Sequence, residues 1–141
     1  AGDAEALYHK AYQQTLDKDY AGAEKNLTRF LKDFPDHKLA ENARYWLGET
    51  HYSKGDWERA ILDFDKVIKK HPGGVKAPGA LLKQAMSFEK LGSVKEARVL
   101  LEQVVKKYPK TKEAKLARAR LKALKPPEKQ MKKEQKSPKK P

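Results

Sequence analysis

The chain has 141 residues, no cysteine, and 32 Lys plus Arg against 19 Asp plus Glu, a net charge of +13. That length suits one domain whose core needs no disulfide or metal staple. The absence of cysteine excludes thiol catalysis, disulfide frameworks and zinc–thiolate sites. No apolar run approaches the roughly 18 residues of a membrane span, so membrane insertion is not expected. No charged-then-apolar leader opens the chain. The Ala1-Gly2 start, without an initiator Met, is expected to mark a processed form or an excised piece of a longer protein.

In chain order, helices are predicted at about 4–17 and 19–34, then 38–54 and 56–70, then 77–91 and 93–108, with a seventh at about 111–124. Asp19 precedes the second helix as an N-cap, and Asp56 and Ser93 hold the same place before the fourth and sixth. Ser93 and Glu96 are spaced for a capping box. Gly55 and Gly92 stand just before two of these caps, where the chain must reverse. Pro35, Pro72 and Pro109 stop the second helix of each pair. Pro78 falls in a first turn, where its missing N–H is harmless. In the seventh helix Leu116, Leu121 and Leu124 are expected to form one apolar face that closes the stack.

These elements repeat. Ala23, Ala60 and Ala97 recur at a spacing of 37, as do Leu27/Phe64/Leu101, Phe30/Val67/Val104 and Leu31/Ile68/Val105. The Tyr20/Trp57/Val94 column keeps the same register, and so does the residue before each of the three prolines. Within one unit Ala60, Phe64, Val67, Ile68 and His71 share one helix face. The prediction is an all-α fold, an α-solenoid of three helix hairpins plus a C-terminal capping helix. Three hairpins are enough, because each buries its apolar face only against a neighbour. The domain is expected at 1–124, with units at about 4–37, 38–74 and 75–110 and the capping helix at 111–124. Residues 125–141 hold four prolines, seven lysines and one large apolar side chain, Met131. They are read as a disordered basic tail.

The second unit resembles the tetratricopeptide repeat through Leu47-Gly48, Tyr52, Gly55-Asp56-Trp57, Ala60, Phe64 and Pro72. Gly48 and Ala60 would let the two helices approach, with Phe64 filling the space between hairpins. Ala11 and Ala85 replace Gly48 in the other units, Gln84 replaces Leu47, and Lys18 replaces Gly55. The 37-residue period and the segments 43–57, 76–83, 91–98 and 101–109 are similar to the C-terminal domains of the YbgF/CpoB family of the Tol–Pal system. Outer-membrane assembly lipoproteins such as BamD use similar units. The resemblance implies a periplasmic, non-catalytic scaffold that binds TolA and links outer-membrane constriction to septal peptidoglycan synthesis in cell division. It also implies that the parent protein trimerises through a segment not present here, this fragment itself being a monomer.

Candidate chemistry is sparse. His9, His37, His51 and His71 show no metal-ligand spacing, and Gly73-Gly74 lacks the strand and the GK[ST] of a phosphate loop. No enzyme activity, cofactor or metal is expected. The resemblance puts the first helix of each hairpin on a concave surface. It assigns partner contacts to Tyr8 and Tyr12 with Thr15, to Asn42, Tyr45, Glu49 and Tyr52, and to Leu82, Met86 and Glu89. Tyrosine suits such a site because it joins a rigid apolar ring to one polar tip. The groove is expected to be aromatic and mildly acidic, its carboxylates facing lysines of the partner. Net charge runs from −4 over residues 1–65 to +12 over 66–124 and +5 over 125–141. The cluster of Lys106, Lys107, Lys110, Lys112, Lys115, Arg118, Arg120 and Lys122 would also suit an anionic-polymer binder. Specific nucleic-acid binding is not expected, because stacking aromatics are scarce there. The repeat architecture is equally compatible with a BamD-like assembly scaffold or a generic tetratricopeptide adaptor.

Overall fold

The computed structural model describes residues 2–124. Within them the chain forms seven α-helices: α1 Gly2–Leu16, α2 Tyr20–Asp33, α3 Ala40–Ser53, α4 Trp57–Lys70, α5 Ala77–Lys90, α6 Val94–Lys107 and α7 Lys112–Ala123. The basic tail expected at 125–141 lies outside the described residues.

The turns inside the hairpins repeat in backbone as well as sequence. Gly55 and Gly92 adopt φ of +79° and +80°, and Lys18 adopts +62° at the matching place in the first hairpin. A lysine in this left-handed region carries the strain that glycine avoids. Asp19 and Asp56 cap α2 and α4, accepting from the backbone N–H of Gly22 and Arg59. The capping box expected at Ser93 and Glu96 does not form, and Ser93 makes no side-chain cap bond. Its ψ of 73° matches the 75° of the two aspartates, whose side chains are one atom longer. Thr111, at an extended ψ of 160°, reaches the N–H of Ala114 with its hydroxyl and caps α7. The residue before each proline holds nearly the same backbone, φ/ψ of −133°/56° at Phe34, −134°/59° at His71 and −131°/54° at Tyr108. Proline excludes helical geometry from its predecessor, and that ends each second helix.

Each helix packs against the next along the chain, and the odd-numbered helices also meet one another. The stack therefore closes on the side of α1, α3, α5 and α7 and splays on the side of α2, α4 and α6. Leu27, Phe30, Phe64, Val67, Leu101 and Val104 are fully buried, one pair from each even-numbered helix. Opposite them sit Ala11, Gly48 and Ala85 of the odd-numbered helices. A Cβ on Gly48 would stand 2.6 Å from the Phe64 ring. The outer hairpins place alanine with leucine where the middle one places glycine with phenylalanine.

α7 buries Ala114 and Ala117 and packs Leu121 and Leu124 against the third hairpin. Leu116, expected on the same face, is 54% exposed, because it points to the far side of the helix from Ala114 and Ala117. Arg98 of α6 fastens the end of α7 by donating to the carbonyls of Leu121 and Leu124 at 3.1 and 2.8 Å. Those carbonyls have no partner within the helix.

A polar joint links the first two hairpins. Asn26 donates to Gln14 at 2.8 Å. One repeat later the same positions hold His51 and Asp63, and two repeats later Phe88 and Leu100. His51 is buried, donates through Nδ1 to Asp63, and lies 3.2 Å through Nε2 from Glu24 of α2. Glu24 accepts from Lys54 at 2.7 Å and pairs with Arg59 at 3.6 Å. The Asp63 hydrogen bond, against burial and with help from Glu24, raises the His51 pKa above its ordinary value. The hydrogen bonds from Lys54 and then His51 lower that of Glu24.

Three measurements test this construction. Gly48→Ala is expected to cost about 1–3 kcal/mol by overpacking, and adding Phe64→Leu recovers most of it in a double-mutant cycle by denaturant unfolding. Lys18→Gly is expected to stabilise by about 0.5–1 kcal/mol, the relief of left-handed strain less the entropy of glycine. The contribution of His51 is complete below its unfolded pKa near 6.5 and is lost as pH rises through the raised folded value. That of Glu24 is complete above 4.5 and is lost as pH falls through its lowered folded value. Thermal melts should therefore place the joint's stabilisation at its maximum between these limits, and His51→Gln should flatten the alkaline side.

Candidate concave groove

The groove is built on α3. Tyr45, Glu49 and Tyr52 recur at i, i+4 and i+7, so they share one face, and Trp46 stands beside them. Aromatic rings run through the first two hairpins as a band. Phe30 meets Tyr8 at 5.9 Å between centroids, Tyr8 stacks on Tyr12 at 6.2 Å, and Tyr12 meets Trp46 edge-on at 5.2 Å. Trp46 then meets Tyr45 at 5.2 Å, and Tyr45 meets Phe64 at 5.7 Å. The Trp46 indole donates to the Tyr8 hydroxyl at 3.1 Å, and Asn42 lies beside that hydroxyl.

This places the residues named from sequence in three groups. Tyr8 and Leu82, 6% and 5% exposed, belong to the core. Their expected role as exposed anchors is corrected, since a ring packed on Phe30 and a leucine packed in the third hairpin present almost no surface. Tyr12 and Tyr45 are half-buried. Tyr45 is wedged between Trp46, Phe64 and the backbone at Gly79, where an added Cβ would lie 3.4 Å from its ring. Burial, then the charges of Glu49 and Glu113, push its phenol above the usual range. The third group is also half-buried but lines recesses. Tyr52, Met86 and Glu89 line a recess of about 340 Å³ with Lys90 and Arg120. Glu49 lines a neighbouring one of about 240 Å³ with Thr15 and Trp46.

The acidic character expected of the groove is corrected by its own cations. Lys83 of α5 pairs with Glu49 at 3.3 Å and lies 4.6 Å over the Tyr52 ring. Arg120 of α7 pairs with Glu89, and that pairing holds its guanidinium above its ordinary pKa. Lys76 stands 5.0 Å over Tyr45 and 5.1 Å over Trp46. Each carboxylate is thus engaged within the chain, and the surface presents aromatic faces overlaid by lysine ammonium groups. Trp46, Lys76, Lys83 and Arg120 were not expected in the groove from sequence. The column His9/Trp46/Lys83 lies next to the Tyr8/Tyr45/Leu82 column, and reading it would have found two of them.

The other cations of the C-terminal end behave differently from Arg120. Arg118 donates to the Pro109 carbonyl at 3.2 Å, and Lys106, Lys107, Lys110, Lys112, Lys115 and Lys122 are exposed. Among the described residues no group of three or more His, Asp or Glu side chains is placed to hold a metal ion. None of the described helices is long and apolar enough to cross a membrane.

Comparison with known proteins agrees with the helix-hairpin geometry. The family model YfiO, described as outer membrane lipoprotein, matches residues 1–131. The chain is 39% identical over 49 residues to the cell division coordinator CpoB of Pseudomonas putida, a stretch covering 35% of this chain and 18% of that protein. In structure it is similar to the type III secretion translocator chaperone SycD of Yersinia enterocolitica, with a TM-score of 0.73 at 20% identity over 88% of this chain and 92% of that one. The Arabidopsis OM64 TPR domain gives 0.71 at 20% identity over 85% and 94%. A tetratricopeptide repeat protein from Parabacteroides merdae gives 0.70 at 20% identity over 81% and 43%. At such identity these structures bear on the fold alone. The hairpin repeat, its stacking and the match through the whole helical stack make the chain a tetratricopeptide-repeat solenoid resembling CpoB, and it belongs to the YfiO outer membrane lipoprotein family.

Proposed function

We propose that the chain is a non-catalytic interaction scaffold of the bacterial cell envelope that holds a segment of a partner protein along α1, α3, α5 and α7. The observation that carries this is the groove itself. Half-buried rings of Tyr12, Trp46 and Tyr45 lead into the open recess of Tyr52, Met86, Glu89 and Arg120. Rigid rings fixed by their neighbours lose little entropy on binding, and methionine adapts to the shape it meets. Lys76 and Lys83, held over the rings, suit a partner segment that brings carboxylates or backbone carbonyls.

The similarity to CpoB supports a TolA-like partner in the periplasm and a role in coordinating outer-membrane constriction with septal peptidoglycan synthesis. A second reading, an outer-membrane assembly scaffold of the BamD kind, draws support from the family match to outer membrane lipoproteins. Both readings use the same groove with different partners.

Calorimetric titration with a TolA fragment tests the first. Tyr52→Ala and Met86→Ala are expected each to weaken binding about tenfold, the loss typical of an interface anchor, while removal of residues 125–141 leaves it unchanged. Groove variants that bind like the wild type would sink the groove assignment. Absence of any TolA binding by the intact chain would transfer support to the assembly reading.

A further inference from the structure

On the splayed side of the stack, away from the groove, α2 and α4 stand apart and α3 forms the floor between them. The gap is a cavity of about 340 Å³ walled by Leu31 of α2, Arg44 and Leu47 of α3, and Asp63, Lys66 and Lys70 of α4. Arg44 is 9% exposed. A guanidinium carries a permanent charge and five donors, and when buried it ordinarily stands against a carboxylate. Among the described residues Arg44 has no carboxylate at ion-pair distance. Its one side-chain hydrogen bond runs from Nη1 to Nε2 of His71, 3.2 Å away. Burial, then the charge of Arg44, holds His71 below its ordinary pKa, so the ring is neutral and accepts.

The carboxylates nearby serve other groups. Asp63 accepts from His51, and Glu41 accepts the backbone N–H of Lys76 at 2.8 Å. Asp36 acts on Arg44 only through space. On the rim Lys66 and Lys70 are exposed, one helical turn apart, while Lys69 between them turns to Asp65 at 3.0 Å.

The repeat shows that packing does not call for these groups. Thirty-seven residues to either side of Arg44 stand Leu7 and Leu81, and to either side of His71 stand Phe34 and Tyr108. Two columns that are apolar or aromatic in the outer units turn basic in the middle one, and the two exceptions touch. A cation buried without an anion destabilises the fold. Three cations around one cavity, beside an acid already engaged by the His51 hydrogen bond, match a doubly charged anion better than a single carboxylate, which Arg44 alone would satisfy.

We propose that this cavity binds a phosphate group, with Arg44 gripping it from the floor and Lys66 and Lys70 closing from the rim. The phosphate is inorganic phosphate or the monoester end of a small molecule. The full chain, ¹⁵N-labelled, is titrated at constant ionic strength with inorganic phosphate, glycerol 3-phosphate and acetate, following the Arg44 side chain and the His71 ring. Saturable shifts with both phosphates and none with acetate are expected. Tighter binding of glycerol 3-phosphate assigns the site to a monoester, and equal or weaker binding assigns it to free phosphate. Arg44→Leu restores the residue of the matching columns. It should fold with a raised Tm and lose the phosphate response. Lys66→Gln with Lys70→Gln, both on the surface, should weaken binding about tenfold and keeps the test decisive if Arg44→Leu does not fold. An equal response to acetate, no saturable response to phosphate, or a phosphate response that survives these substitutions overturns the proposal.

Discussion

Each hairpin closes because a small residue on its first helix admits a large one from its second. Ala11 lies with Leu27 and Ala85 with Leu101, and Gly48 lies against Phe64 so closely that a methyl group would overlap the ring. Only such an approach buries the apolar stripe of both helices, and only a stacked neighbour buries what the hairpin leaves open. The turns, caps and prolines then act as punctuation. They fix where each helix stops, but the contact between small and large residues fixes how near the helices come. The groove inherits that spacing, since its rings sit on α1 and α3 at the distance these contacts set.

The middle hairpin differs in chemistry while sharing this geometry. Where the third unit has Phe88 and Leu100, it has His51 bonded to Asp63 and tied to Glu24 of the first hairpin. Where the outer units have Leu7 and Leu81, it has Arg44. An apolar joint at these places would pack without the desolvation that buried charges carry. The polar joint instead ties stability to pH, and Arg44 lines a cavity beside it. On the concave side Lys83 and Arg120 neutralise Glu49 and Glu89. The chain's positive excess therefore reaches the concave side as ammonium groups over rings.

Much of the fold was legible in the sequence, because local signals sufficed. The 37-residue spacing, the alanine and proline columns and the glycines before the caps specify helices, turns and pairing by rules that act within one hairpin. The site was legible only in part. The family resemblance nominated Tyr45, Glu49 and Tyr52 together with Met86 and Glu89, and the structure sets Tyr52, Met86 and Glu89 around one recess. Periodicity could not show that Tyr8 and Leu82 are absorbed into the core, since that depends on how deeply the neighbouring helix presses. Leu116 could have been set aside from spacing, since Ala114, Ala117, Leu121 and Leu124 form the i, i+3, i+7, i+10 face that packs and Leu116 lies off it.

The sequence by itself determined a three-hairpin α-solenoid and the places where its helices begin and end, whereas the pairing of Gly48 with Phe64 inside one hairpin came from the structure, the sequence having set Phe64 between hairpins. The helix boundaries depend on residues within one repeat of each other. The tertiary structure decided which charges find partners. Lys83 reaches Glu49 and Arg120 reaches Glu89 across more than thirty residues, while Arg44 lines a cavity. Ion pairing depends on where long side chains meet in space, and a one-dimensional repeat does not encode that distance.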